Sequence, residues 1–365
     1  MSVGERLKYA RKRLNITETQ VSELIGIGVS SLSEFENDKR EPKLSHLQLL
    51  AQLYNRQLSF FLEEGPVPQE MVLWRKQPEE NAEKVERRFL KLCEQYRNLE
   101  MWCGETIVPR LPSPRVSAAN LDYNDAESLA RDVRNQLGLG DRPGIDLLRA
   151  LEEECGVKVF HRAFEPMGVA ASTKSPSFGF AVLLNSKHVR WRRNFDLAHE
   201  LFHLLTWDVF HSKESESSGP DEREEKLADR FAANLLMPAE AVRGAVNRRG
   251  PLTYEALFGI AREFDVSVEA LAYRIGYLYR MEKEKTDQII SATRAMAHLL
   301  EDRRKDNSSA PELPERYRAL AIRALQRGEI ALGRFAEYMD ISRKQAQEYL
   351  RFEGWELEEI PLTAA

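Results

Sequence analysis

The stretch Leu197-Ala198-His199-Glu200-Leu201-Phe202-His203-Leu204-Leu205 constrains this chain more than any other feature. Its apolar residues surround two histidines four positions apart. On a helix that spacing stacks both imidazoles on one face, one turn apart. A helix with these neighbours is mostly buried, and two adjacent buried histidines need partners. One tetrahedral zinc answers that need by taking His199 and His203 as ligands. Any fold for the chain must therefore bury this helix and bring another donor to it.

Glu200 stands between the two histidines. It cannot comfortably reach the same ion, but it can reach a water held there and take its proton, the arrangement of metal-dependent peptidases. Glu200 is thus the expected general base. The His-x-x-Gly-x-x-His extension is absent, since Val209 stands where a third histidine would be. The third ligand must come from elsewhere. Glu225 is the best candidate, because Asp229 lies one turn further on the same face and can accept the N–H of a ligand histidine. His211 is the rival ligand, close in sequence but in a polar stretch. Glu222 and Glu224 are expected to be solvated charge.

The rest of the chain has room for two or three domains in its 365 residues. Residues 1–63 carry closely spaced helical patterns. Residues 64–115 open on Glu-Gly-Pro-Val-Pro, linker-like, and continue as a long amphipathic helix with Val85, Phe89, Leu92, Tyr96 and Leu99 on one side. Residues 116–285 read as mixed helix and strand, with β-rich runs at Val157–Phe160 and Phe178–Leu184, and motif helices over about Phe195–Leu205 and Glu225–Leu236. A polar run from His211 to Glu222 reads as a mobile surface loop. Residues 286–365 return to helix after Lys305-Asp306-Asn307-Ser308-Ser309. The expected class is α+β and predominantly helical. It has an all-α N-terminal domain, a central zincin-like domain with a small sheet, and a C-terminal helical subdomain. Cys93, Cys103 and Cys155 are an odd, sparse set without a Cys-x-x-Cys pair, so neither a disulfide framework nor a thiolate zinc site is expected. A net charge of -5 removes any global attraction to nucleic acid, and DNA contact must be local. Phe180–Leu184 and the other apolar runs are too short to span a bilayer, and no apolar signal region follows Met1. A cytoplasmic protein without membrane contact is expected.

The paired motifs resemble the ImmA/IrrE metallopeptidases: Phe195-Asp196-Leu197-Ala198, then His199-Glu200-x-x-His203, then Glu225-x-x-Ala228-Asp229-x-Phe231-Ala232-x-x-Leu235-Leu236-Met237-Pro238. The similarity covers roughly residues 120–280. It implies zinc, with manganese as the alternative, held by His199, His203 and Glu225, with Glu200 as acid/base. It also implies a cytoplasmic protease that cleaves a helix-turn-helix repressor in a stress or mobile-element response. Phe202 stands where the family often has glycine and is expected to change packing only. Substrate is expected to pair with an edge strand, for which Phe178–Leu184 is the candidate.

The first 60 residues resemble XRE-type helix-turn-helix domains through Arg6-Leu7-Lys8, Val21-Ser22-x-x-Ile25-Gly26, Leu32-Ser33-x-x-Glu36 and Lys39-Arg40-x-Pro42. By that resemblance the third helix enters the major groove. Thr17, Gln20, Ser30, Ser31 and Glu34 are then the candidate DNA contacts, with Lys39 and Arg40 on phosphates. Glu18 replaces the usual glutamine, the helix has no basic residue, and Glu36 is expected to be structural. The other reading of this domain is protein contact, dimerisation or substrate docking, and a homodimer is admissible. Residues 310–352 have a second helix-turn-helix rhythm or simply pack. For the whole chain two further readings remain beside the peptidase: a regulator or antitoxin-like partner whose metal is structural, and a metal or stress sensor.

Overall fold

The structure is a computed structural model that describes residues 2–14, 16–54, 56, 58–62, 71–105, 110–112, 121–164, 169–211, 220–301 and 310–353. The expected linkers around 64–68 and 305–309, most of the polar run after His211, Pro109, Pro114 and Trp355 lie outside the described residues.

Five helices come first: α1 Val3–Arg13, α2 Glu18–Ile25, α3 Val29–Glu36, α4 Leu44–Leu53 and α5 Leu58–Leu62. Local chemistry sets their ends. Thr17 accepts from the Gln20 amide while the Gln20 side chain accepts from the Thr17 amide, a reciprocal cap that starts α2. Gly26 ends it at φ 70°, where a side chain would be strained. Leu7, Val21, Leu32, Phe35, Leu47 and Leu50 are buried between these helices.

β1 Val72–Trp74 and α6 Ala82–Trp102 follow, then α7 Tyr123–Gln136, α8 Pro143–Arg149, β2 Lys158–Arg162, β3 Ala170–Ser175 and β4 Gly179–Asn185. The sheet order is β1-β3-β4-β2. β1 with β3 and β3 with β4 are antiparallel, while β2 runs parallel to β4. Phe160 faces Leu183, and Ala171 faces the same residue from the other side. β4 is therefore an inner strand, paired along both edges, and cannot offer the free edge expected of Phe178–Leu184. The edges among the described strands are β1 and β2. The long apolar run of β4 reflects burial on both faces, not exposure at a rim.

Alternation along the strands separates two cores. Val159, Val182 and Leu184 point to one, with α9 Arg190–Leu205 and α11 Glu222–Leu236. Phe160, Ala181 and Leu183 point to the other, with Phe89, Leu92 and Tyr96 of α6. α10 Trp207–Phe210 precedes α11. Helices α12 Ala239–Arg249, α13 Tyr254–Phe264, α14 Val268–Leu278 and α15 Lys283–Glu301 extend the first side. The last three, α16 Glu315–Gln326, α17 Leu332–Met339 and α18 Arg343–Phe352, close over α6 on the second. There Tyr317 and Phe335 are fully buried, so these helices pack as a layer. The α+β, mainly helical class holds. The three cysteines are free and buried. No described helix is long and apolar enough to cross a membrane.

Candidate metal centre and nucleic-acid face

α9 begins five residues before the expected start, at Arg190, and runs to Leu205. Leu197, Ala198, Leu201 and Leu204 are buried along it. That packing leaves His199, Glu200 and His203 also buried, at 0%, 0% and 1% exposure. α11 lies across it. Asp221 caps α11 by accepting from the Glu224 amide at 2.7 Å, which sets which glutamates of Glu222-Arg223-Glu224-Glu225 turn inward.

The imidazoles of His199 and His203 approach Nε2 to Nε2 at 3.1 Å. The Glu225 carboxylate lies 3.3 Å from each of these nitrogens. Among the described residues this is the one group of three His, Cys, Asp or Glu side chains whose ligand atoms lie within 4.8 Å of one another. Each histidine is held from behind. His199 Nδ1 lies 2.9 Å from Asp229 Oδ1, and His203 Nδ1 lies 2.7 Å from Glu224 Oε1. A carboxylate at Nδ1 accepts a hydrogen bond from the ring N–H there, which fixes the tautomer whose Nε2 can offer its lone pair to an ion at the common point.

The electrostatics agree. Burial works against a second proton on His203, but Glu224 and Glu225 outweigh it and raise that pKa to about 10. Burial pushes Glu225 up, but the two histidines bring it down to about 2. Without an ion, a second proton on His203 balances the surrounding carboxylates, the positive charge that a bound cation would supply in its place. Glu225 Oε1 and both Glu200 oxygens are buried without a hydrogen-bond partner. Two imidazole nitrogens, a carboxylate and these unpaired oxygens fit a divalent cation of the zinc type. Burial also raises the Glu200 pKa, while His203, His199, Ser172 and Arg75 draw it back. Ser172 opposes the shift without reaching hydrogen-bond geometry.

Two expectations change. Glu222 is exposed beside Lys226, as solvated charge should be. Glu224 is not: it is 2% exposed and accepts from both His203 and His211. The signal was present, because Glu224 shares the i, i+4, i+7 stripe of buried Ala228 and Phe231. His211 is buried at the end of α10, 3.1 Å from Glu224, and is outside the three-residue group. Phe202 fills space against Phe231 and the edge of His203, ring centroids 5.7 and 5.9 Å apart. Sequence reasoning missed Arg75 and gave Asp196 no role. Arg75, one residue past β1, donates to Asp196 at 2.5 Å and to Asp229 at 2.9 Å. Asp196 also meets His188 Nδ1 at 3.1 Å. No local pattern announces a contact between residues 121 positions apart.

On the helix-turn-helix domain, Ser30, Lys39 and Arg40 are exposed, and Ser31 and Glu34 are partly so, with Glu34 3.7 Å from Arg40. Thr17 and Gln20 are exposed but committed to the cap of α2. Glu36 is buried and pairs with Arg11 through two contacts of 2.6 Å, the structural role expected.

Comparison with known proteins matches residues 152–276 to the IrrE N-terminal-like domain of the peptidase family and residues 7–61 to a helix-turn-helix family. The radiation response metalloprotease IrrE of Deinococcus deserti is 31% identical over 169 residues, 45% of this chain and 56% of that protein. The transcriptional regulator ImmR of Bacillus subtilis is 39% identical over 62 residues, 17% of this chain and 49% of ImmR. The regulator YobD of Bacillus subtilis is 30% identical over 112 residues, 30% of this chain and 86% of YobD. The chain spans about half the length of the first two relatives. The chain thus joins an XRE-type helix-turn-helix domain to an ImmA/IrrE-type metallopeptidase domain.

Proposed function

We propose that the chain is a cytoplasmic zinc endopeptidase coupled to a DNA-binding module, and that it cleaves a helix-turn-helix repressor in a stress or mobile-element response. The observation that carries the enzyme reading is the carboxylate-backed pair of Nε2 atoms at 3.1 Å, facing Glu225, with Glu200 buried beside them. In this reading His199, His203 and Glu225 hold zinc, or manganese in its place. The bound ion supplies Lewis acidity to a peptide carbonyl and to the attacking water. Glu200 takes the proton of that water and returns it to the departing amine nitrogen. Its raised pKa suits a group that must both accept and release a proton. Asp229 and Glu224 keep the two rings oriented. A purely structural metal has no need of Glu200, which weighs against a regulator with an inert site.

The exposed Ser30, Lys39 and Arg40 and the partly exposed Ser31 support DNA contact by residues 1–63, and the likeness to ImmR and YobD favours the same reading. The test is proteomics of cells expressing wild type or Glu200→Gln, with and without DNA damage. Glu200→Gln is expected to retain its metal and lose all cleavage products. A cut helix-turn-helix protein that persists in Glu200→Gln cells defeats the assignment of the base.

A further inference from the structure

A cavity of about 840 Å3 opens between α9, α11 and α14, and Asp229, the carboxylate behind His199, lies on its wall. Phe195, one helical turn before His199, lines it as well. Val189, Ala233, Ala270, Tyr273 and Tyr277 give it apolar and aromatic walls between charged side chains. Such a volume holds several atoms of an extended peptide and one large side chain.

Five cations line this space, and four are already paired. Arg75 binds Asp196 and Asp229, Arg192 binds Asp196, Lys226 binds Glu222, and Arg230 binds Glu127 at 2.6 Å. Arg274 differs. It is 5% exposed, its Nε donates to the Met237 carbonyl at 3.0 Å, and no described carboxylate lies within ion-pair distance of it. Glu127, the carboxylate that acts most on Arg274, is occupied by Arg230 and by the Tyr277 hydroxyl at 3.0 Å. Glu269 is taken by Arg294. A guanidinium taken out of water without a counter-ion is costly, and burial lowers its pKa to about 10. Nη1 and Nη2 of such a group form a fork that matches a carboxylate.

We propose that this cavity is a substrate subsite in which the Nη atoms of Arg274 receive a carboxylate-bearing residue of the peptide. The inference rests on the peptidase reading and names the substrate chemistry of that same site. A polyanion such as single-stranded nucleic acid fits less well, because four of the five cations are already neutralised and such a ligand binds through several free ones.

The experiment uses the full chain and a set of synthetic dodecapeptides in which one Glu is walked through a Ser/Ala/Leu background, each with a Gln twin. Binding to the zinc-loaded Glu200→Gln protein is read by calorimetry, and cutting by wild type is read by mass spectrometry. At one register Glu is expected to bind about tenfold tighter than Gln, the effect of a charge-assisted hydrogen bond. Arg274→Gln is expected to erase that ratio and Arg274→Lys to keep part of it. Because Arg274 also ties α14 to Met237, Ala270→Trp provides a second variant that fills the cavity and leaves the guanidinium in place. It too is expected to lose the Glu preference while keeping its melting temperature. Equal binding of Glu and Gln twins at every register overturns the subsite, as does Arg274-dependent binding of an oligo-dT probe without any peptide preference. A Glu preference without any cutting by wild type leaves the subsite standing and defeats the peptidase reading instead.

Discussion

Replacing Glu224 tests whether the carboxylates behind the histidines belong to the metal centre. Glu224 Oε1 lies 2.7 Å from His203 Nδ1 and 3.1 Å from His211 Nε2, and the residue is 2% exposed. In Glu224→Ala the buried His203 N–H loses its acceptor. His211, whose Nδ1 already has no partner, loses its remaining one. The loss of an acceptor behind a ligand histidine weakens metal binding by about 10- to 100-fold. That range is about 1.4 to 2.7 kcal/mol, consistent with one charge-assisted hydrogen bond of about 1.5 to 3 kcal/mol. Glu224→Gln keeps an amide oxygen facing His203 and is expected to fall between Glu224→Ala and wild type. Glu222→Ala is the control, since Glu222 points to solvent beside Lys226. Zinc affinity is measured by competition with a chromophoric chelator at neutral pH, and the melting temperatures of the metal-free variants separate affinity from folding. Equal zinc affinity in Glu224→Ala and Glu222→Ala refutes the assignment.

Arg75→Ala is expected to cost about 3 kcal/mol in denaturant unfolding, the range for breaking a buried ion pair, because Asp196 is 0% exposed and keeps only Arg192 and His188; a change under about 0.5 kcal/mol, the scale of an ordinary surface substitution, contradicts that. Glu152 has its pKa lifted to about 7, by burial first and by Glu153 second. An acid whose folded pKa lies above its unfolded value contributes stability below the unfolded value and loses it as pH rises through the folded one. Glu152→Gln is therefore expected to raise the melting temperature at pH 8 and to leave it unchanged at pH 4, and a gain of equal size at both pH values rules this out. Lys39→Ala and Arg40→Ala are each expected to weaken DNA binding evenly across sequences and to reduce the salt slope by about 1; an unchanged slope in fluorescence anisotropy removes them from the phosphate contacts.

The parts that were legible in the sequence are those written in short-range periodicity. His199 and His203, and again Glu225 and Asp229, are four apart, and a helix brings such pairs together whatever surrounds it. Thr17 before α2 and Gly26 after it mark that helix from its two ends, while Gln20, read as a DNA contact, also serves the cap. Two readings failed for want of phase or of partners. Glu222, Glu224 and Glu225 look alike until the cap at Asp221 and the buried stripe through Ala228 and Phe231 are set against them. β4 looked like an edge because its neighbours are weak in sequence. β3 is Ala-Ala-Ser-Thr-Lys-Ser, and β1 has only three residues, so both owe their strand form to pairing more than to propensity.

The contact that no local pattern could reveal is also the one that joins separate parts of the chain. The match to the IrrE-like domain spans residues 152–276, yet Arg75 lies outside it and bridges Asp196 of α9 to Asp229 of α11. Asp229 in turn orients His199. The strand that carries Arg75 up to this point lies on an edge of the sheet whose other face is covered by α6 and by α16 to α18. Residues before and after the matched domain thus hold the sheet from one side while the metal centre is assembled on the other. A fragment limited to residues 152–276 contains every proposed ligand but lacks both the bridge and the covering layer. Its buried Asp196 would face Arg192 and His188 alone, and Phe160, Ala181 and Leu183 would face water. The geometry of the centre is therefore a property of the whole chain from β1 to α18, even though its donor atoms all lie between His199 and Glu225.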